Sequence, residues 1–319
     1  MNETVSYIIS FVYAAVLAGT PLLYGTLGEI LTEKSGNLNL GVEGMMYMGA
    51  SMGLVLGYTC DSAIMAVIGA FLAGALGALI YCFLTVTLKA NQNVTGLTLT
   101  IFGVAFGNMI GDALMRSAPG GAAVVSAKVS GAFSRLSIPF LSDIPYVGKL
   151  FFQYNIFVYL GIAIAIGMAL FLKHTRTGLN LRAVGEDPAA ADAVGISVTK
   201  YKYMATCLGG GLCGLGGVYV IMATCGGTWV YNCVNGLGWI AVALVIFAAW
   251  KPGRAVIGSL VFGGLSILRL YVSAKIPIAI YVMLPFVATI LVIIITSIRQ
   301  SKEGLQPKSC GTNFFREER

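Results

Sequence analysis

MATCLGGGLCGLGGVYVIMATCGGTWVYNCVNGLGWIAVALVIFAAW, residues 204–250, contains no charged side chain in 47 positions. About 20 apolar helical residues cross the hydrocarbon core of a bilayer, so this run has the length of two spans. No soluble domain with a single core reads this way. Working outward, comparable uncharged runs lie at Val5–Gly28, Ser62–Leu88, Ala90–Gly111, Tyr154–Leu172 and Ile276–Ile298, with shorter ones at Gly44–Cys60 and Ala255–Leu268, nine segments in all. The whole chain agrees, being 57% hydrophobic and only 10% charged over 319 residues, with 41 glycines and a mean hydropathy of +0.86. Lipid offers backbone polar groups no partners, and these runs are too long and uniformly apolar for barrel strands. The expected fold is all-α and polytopic, a bundle of about 8–10 transmembrane helices at roughly 20 residues each.

Charge placement sets the topology. The net charge of +7 does not call for nucleic acid in such a chain; what matters is which loops carry the lysines and arginines. Lys173, Arg176, Arg182, Lys200 and Lys202 crowd the loop 173–202, and five more basic residues follow Arg299 or include it. Both regions are expected in the cytoplasm, which places the loop 112–153 outside. Residues 1–298 then form the membrane domain and 299–319 a cytoplasmic tail whose polar composition reads as disordered. The N-terminus has no basic region and no cleavage signature, so the first segment is expected to stay.

Within the basic loop, Arg182–Ser197 reads RAVGEDPAAADAVGIS. Asp187 suits an N-cap, Pro188 the first helical position and Gly195 a left-handed stop, with Ala189, Ala190, Ala191 and Ala193 between them. A helix of about two turns does not persist alone in water, so it must dock on something, either a partner or its own protein.

Two polar intrusions interrupt the apolar runs. Ser35–Gly44, SGNLNLGVEG, suits a broken helix at membrane depth with Asn37 and Asn39 on a polar cavity, or equally a plain turn with Glu33, Lys34 and Glu43 in water. Asn91–Thr100, NQNVTGLTLT, opens a run that continues through Asn108. Its threonines can bond back to the preceding turn. Asn108 is either glue between helices or a ligand contact. The glycines of GGGLCGLGG (209–217) and Gly69, Gly74 and Gly77 suit close helix packing.

Catalytic chemistry is poorly supported. The seven cysteines form no metal-like spacing and read as buried thiols, with Cys225 and Cys233 a conceivable external bridge. His174 is the single histidine and reads as a loop residue at a span end. No phosphate-binding Gly-rich loop is present, so the chain is not expected to hydrolyse ATP or bind a cofactor itself. The middles of the long spans carry no charge, and Glu29, Glu43 and Arg269 fall near segment ends. A proton- or sodium-driven carrier lacks its relay in this reading.

Taken in order, SGNLNLGVEG, ANQNVTGLTLT, RTGLNLRAVGEDPAAADAVGISVTKYKYMATCLGGGLCGLGG and NGLGWIAVALVIFAAWKPGRAVIGSLVFGG resemble the permease subunits of bacterial ABC importers of the ribose and branched-chain amino acid type. The resemblance runs from about residue 15 to 298. VEGMM, GEDPAAADAVGI and GWIAVALVIF ahead of Trp-x-Pro make the chain similar to the shorter permease of nucleoside importers that use basic membrane lipoproteins as receptors. It departs at AAWKPG, where a Gly and a basic residue are expected before the Trp, and at Leu237, where an Arg is frequent.

The resemblance implies a coupling helix at Gly185, Glu186, Asp187, Pro188, Ala189, Ala190, Ala191 and Gly195, seated in a groove of a separate ATPase subunit that uses ATP and Mg²⁺. It also implies a second, longer permease as partner, with a homodimer the other arrangement open, an extracellular substrate-binding lipoprotein, and residence among the lipids of the bacterial cytoplasmic membrane with the C-terminus inside. A nucleoside offers a flat base and a hydroxylated sugar, which makes Asn37, Asn39, Asn91, Thr95, Asn108 and Trp239 candidates for the substrate path. Trp239 suits packing equally well. Riboflavin or a simple sugar would also suit such a machine.

Overall fold

A computed structural model describes residues 3–136, 147–272, 277–299 and 306–316. The nine apolar segments become nine helices: α1 (Glu3–Glu33), α2 (Val42–Thr59), α3 (Ala63–Cys82), α4 (Gln92–Ser117), and, after a short α5 (Ala127–Ala132), α6 (Ile156–His174). Beyond α7 (Arg176–Glu186) and α8 (Pro188–Ala193) come α9 (Val198–Tyr219), α10 (Leu237–Ala248), α11 (Pro252–Tyr271) and α12 (Ile278–Arg299). Six of the described helices are long and apolar enough to cross a bilayer. The chain is an all-helical, multi-pass membrane protein.

α9 is the hub. Its spanning stretch is 83% buried, against 33–39% for the other five long spans, because glycine lets α1, α2 and α3 approach its backbone. A Cβ on Gly217 would lie 1.8 Å from the Met46 carbonyl oxygen of α2, and one on Gly74 of α3 would lie 2.2 Å from the Gly210 carbonyl of α9. The packing role expected of these glycines is what their surroundings require.

Contacts between elements define two ends. At the lower end, Gly185 abuts the Lys34 carbonyl. At the upper end, Tyr7 donates to the Tyr271 carbonyl, Tyr13 donates to the Gln153 carbonyl at 3.1 Å, and Val124 bridges Thr228.

Two of the nine helices do not run from end to end. After Glu33 the chain turns and climbs back without helical structure to Val42. There α2 begins level with Gly25, whose face meets Val42 and Ala241. Gly25 lies more than two turns above Glu33, roughly 12 Å at 1.5 Å per residue. From the upper end, residues 225–236 descend in the same way, and α10 starts inside the bundle with only 12 residues. The broken-helix reading of Ser35–Gly44 therefore holds and the solvated-turn reading does not: Glu33 and Glu43 are buried, and Asn37 and Asn39 essentially inaccessible.

Candidate functional site

α8 forms as its sequence directs. Asp187 takes the bond from the Ala190 amide at 2.9 Å, Pro188 starts the helix, and Gly195 follows it at φ +84°. Ala191 turns inward onto Val184 and Val198, with Ile196, Tyr201 and Phe314 around them. Ala189, Ala190, Ala193 and Val194 face outward, Val194 at 75% exposure, with Glu186 and Asp187 exposed at the N-terminal end. α8 is thus docked on its own protein by one face and bare on the other. Beneath it Lys34 is partly enclosed, and burial pulls its ammonium below the ordinary lysine range, an effect that Glu186 opposes and Arg182 reinforces.

Residues 306–316, the described part of the tail beyond α12, are held by specific contacts that composition did not suggest. Ser309 donates from its backbone amide (3.0 Å) and its hydroxyl (2.7 Å) to the Gly185 carbonyl. The Gln92 amide nitrogen donates to the Thr312 carbonyl at 3.1 Å. Asn313 donates to the Lys89 carbonyl at 2.6 Å, and Arg316 pairs with Asp192 at 3.1 Å. A polar segment reads as disordered when it has nothing to bury; here Phe314 joins the cluster under α8, and the backbone groups exposed by the α3–α4 turn supply partners.

The six candidate path residues do not converge. Asn37 donates to Thr206 at 3.0 Å and Asn39 accepts from the Gly41 amide at 2.9 Å, both sealed in packing rather than facing a cavity. Asn91 is the N-cap of α4, accepting from the Val94 amide at 3.1 Å. Thr95 donates back to the Asn91 carbonyl at 2.8 Å, as a helical threonine does. Asn108 is partly accessible and Trp239 has 37% of its surface accessible.

What surrounds Asn108 was not legible as a site. Asn108 accepts from the Tyr47 hydroxyl at 3.1 Å, and the same hydroxyl accepts from the Asn232 amide. Trp229 stands edge-on to Tyr47. Lower down, both Glu43 carboxyl oxygens accept backbone amides of the descending segment, Gly236 and Gly238, at 2.7 Å each. Glu43 also opens α2, so the N-terminal ends of two short helices meet at one carboxyl group. Helix N-termini carry partial positive charge and orphan amides, and an acidic side chain satisfies both. Glu29 accepts the Asn39 amide at 2.9 Å, while Glu33 accepts the Trp250 indole N–H. These acids lie inside the bundle, where the sequence had placed Glu29 and Glu43 merely near segment ends, and they act as ties between broken pieces of backbone. Cys225 and Cys233 are free thiols, unbridged.

Comparison with known proteins gives this arrangement a family. Residues 8–295 match the model of the branched-chain amino acid transport system permease component. The chain belongs to that family. It is a permease component of an ABC transporter, a membrane subunit without catalytic function. It is 33% identical to the guanosine ABC transporter permease protein NupQ of Bacillus subtilis, covering 89% of this chain and 91% of that one. It is 30% identical to the nucleoside ABC transporter permease protein NupC of Lactococcus lactis subsp. cremoris over 94% and 95%. A Haloferax volcanii protein described as "Putative glucose ABC transporter permease protein TsgC13" is 35% identical over 83% of this chain and 78% of that one.

Proposed function

We propose that this permease forms half of the translocation path of an ATP-driven nucleoside importer, purine nucleosides among its cargo, with α8 as the element gripped by its ATPase. The observation that carries the coupling role is the bare face of Ala189, Ala190, Ala193 and Val194 on a capped helix whose other face is anchored by Ala191. A slim, alanine-faced surface can enter a groove closely, while Gly185, Glu186, Asp187, Pro188 and Gly195 shape its ends. ATP and Mg²⁺ belong to that partner. Closure of the ATPase would move α8, and the motion would reach the path through the helices packed on it.

Nucleoside as cargo is supported by two relatives that match nearly end to end, and by the accessible Trp239 ring and the partly accessible Asn108 amide, chemistries that suit a base and a sugar. A simple sugar is the second reading, favoured by the Haloferax relative. A second permease would complete the path, a longer unlike chain as first choice and a second copy as the other. A lipoprotein receptor would deliver substrate at the upper end, and α8 and the tail would lie in the cytoplasm.

Uptake of labelled guanosine, riboflavin, glucose and ribose by cells expressing the complete transporter tests both parts. Guanosine uptake that Ala190→Glu abolishes, with the protein still in the membrane, is expected. Uptake unaffected by Ala190→Glu would sink the coupling role; uptake of only another solute would sink the nucleoside.

A further inference from the structure

Four elements meet at the lower end and one segment ties them together. Residues 309–316 touch the end of α7 through Gly185, α8 through Asp192, the α3–α4 turn through Lys89 and Ala90, and the start of α4 through Gln92. The Gln92 side chain also takes the Leu38 amide at 2.7 Å, which links the same knot to the climbing segment before α2. Polar bonds at this density, with partly buried Phe314 packed against the cluster of Ala191, make the segment a strap across α8.

The strap also changes what α8 presents. Phe315 is 44% exposed with the Lys89 ammonium 6.0 Å from its ring, and the Arg316 side chain is 75% exposed beyond its contact with Asp192. A notch of about 350 Å³ opens between the strap and the start of α9, lined in part by Lys89, Asp192, Ser197, Thr199 and Arg316. The combined surface is acidic at one end, with Glu186 and Asp187 exposed, and basic at the other, with Lys89, Arg316 and Lys200. The alanine face lies between.

We propose that residues 309–316 are a working part of the ATPase-docking surface, holding α8 in its docked pose and contributing Phe315 and Arg316 to a composite surface that fits an apolar slot with an acidic lip. This rests on the reading of α8 as the coupling helix. Without the strap, α8 keeps its cap and its packing on Val184 and Val198 but loses the Arg316 bond to Asp192 and the Ser309 bonds to Gly185 just before it. A partner's acidic side chain would enter the notch at Arg316 and Lys89, and a basic one would meet Glu186.

The test uses the assembled transporter, purified through a tag on this chain, with two readouts: the ATPase retained per permease, and amide hydrogen exchange across residues 185–195. Asn313→Ala with Arg316→Glu should speed exchange in α8 and lower ATPase retention, each by about tenfold or more. Phe315→Ser alters the exposed rim and none of the strap's hydrogen bonds; it should lower retention with exchange unchanged. Wild-type retention in both variants overturns the proposal, whatever exchange does. Ala190→Glu run in parallel separates the two ideas: if it lowers retention while the strap variants do not, α8 couples and the strap has no part. If Ala190→Glu also leaves retention intact, the coupling assignment itself falls.

Discussion

Replacing Glu43 with Ala should release the segment that descends from the upper end. Its two carboxyl oxygens each accept an amide at 2.7 Å, from Gly236 and Gly238, and nothing in alanine replaces them. A buried amide left unpaired costs about 1–3 kcal/mol. Two at about 1.5 kcal/mol each weaken the closed position of residues 225–236 by roughly 3 kcal/mol, which shifts a local opening equilibrium about 100-fold at 1.4 kcal/mol per decade. Cys233 sits in this segment as a partly buried free thiol and reports that opening directly. Alkylation by a small maleimide, followed peptide by peptide in a mass spectrometer, should accelerate at Cys233 by up to about 100-fold in Glu43→Ala. Exposed Cys60 serves as the reference and should not change. Glu43→Gln keeps one acceptor and should fall between, near tenfold, as half the lost free energy implies. Alkylation of Cys233 within twofold of wild type, in a variant that remains monodisperse, would refute the idea that this carboxyl group pins the segment.

Four further outcomes follow from particular residues. Gly217→Ala places a methyl 1.8 Å from the Met46 carbonyl and should sharply reduce folded protein, overpacking costing typically 1–3 kcal/mol or more. Gly253→Ala, with nothing within 4 Å of the new methyl, should leave the melting temperature in detergent unchanged. Asp187→Ala removes the acceptor for the Ala190 amide and should destabilise α8 by about 1 kcal/mol, read as faster amide exchange confined to α8 at an unchanged membrane level. Trp239→Ala should reduce guanosine uptake by about tenfold, since stacking on a base is worth roughly 1–3 kcal/mol, and should spare any transport of ribose; equal losses for both would assign Trp239 to packing.

The spans were legible because bilayer thickness imposes a length on apolar runs, and all nine segments are helices. Their depth was harder to read. SGNLNLGVEG announced a break, but only the packing of Gly25 against Val42 and Ala241 shows that the break climbs into the bundle. The descent of residues 225–236 carried a weaker signal: Asn232, Asn235 and Gly236 at positive φ are residue types that tolerate such turns, yet they also suit an ordinary loop. At the site, α8 and its cap followed from local rules, because capping is a matter of neighbouring residues. Glu43, Tyr47 and the strap depend on partners 124 to 220 positions away. Composition carries no trace of such pairing, so neither the cavity nor the solvated turn offered for Asn37 and Asn39 anticipated that they are sealed, and a tail that read as loose has residues 309–316 held beside α8.

The strap also sets an order in time. Ser309 and Arg316 leave the ribosome only after α12 has been made, whereas Gly185 and Asp192 emerge more than a hundred residues earlier. Until synthesis has passed the last spanning helix, α8 is present but unbraced. A chain that stalls, or is cut short after α9, carries α8 without its final contacts. If α8 is the element an ATPase grips, as proposed above, recruitment of the motor would be tied to the end of chain synthesis rather than to its beginning.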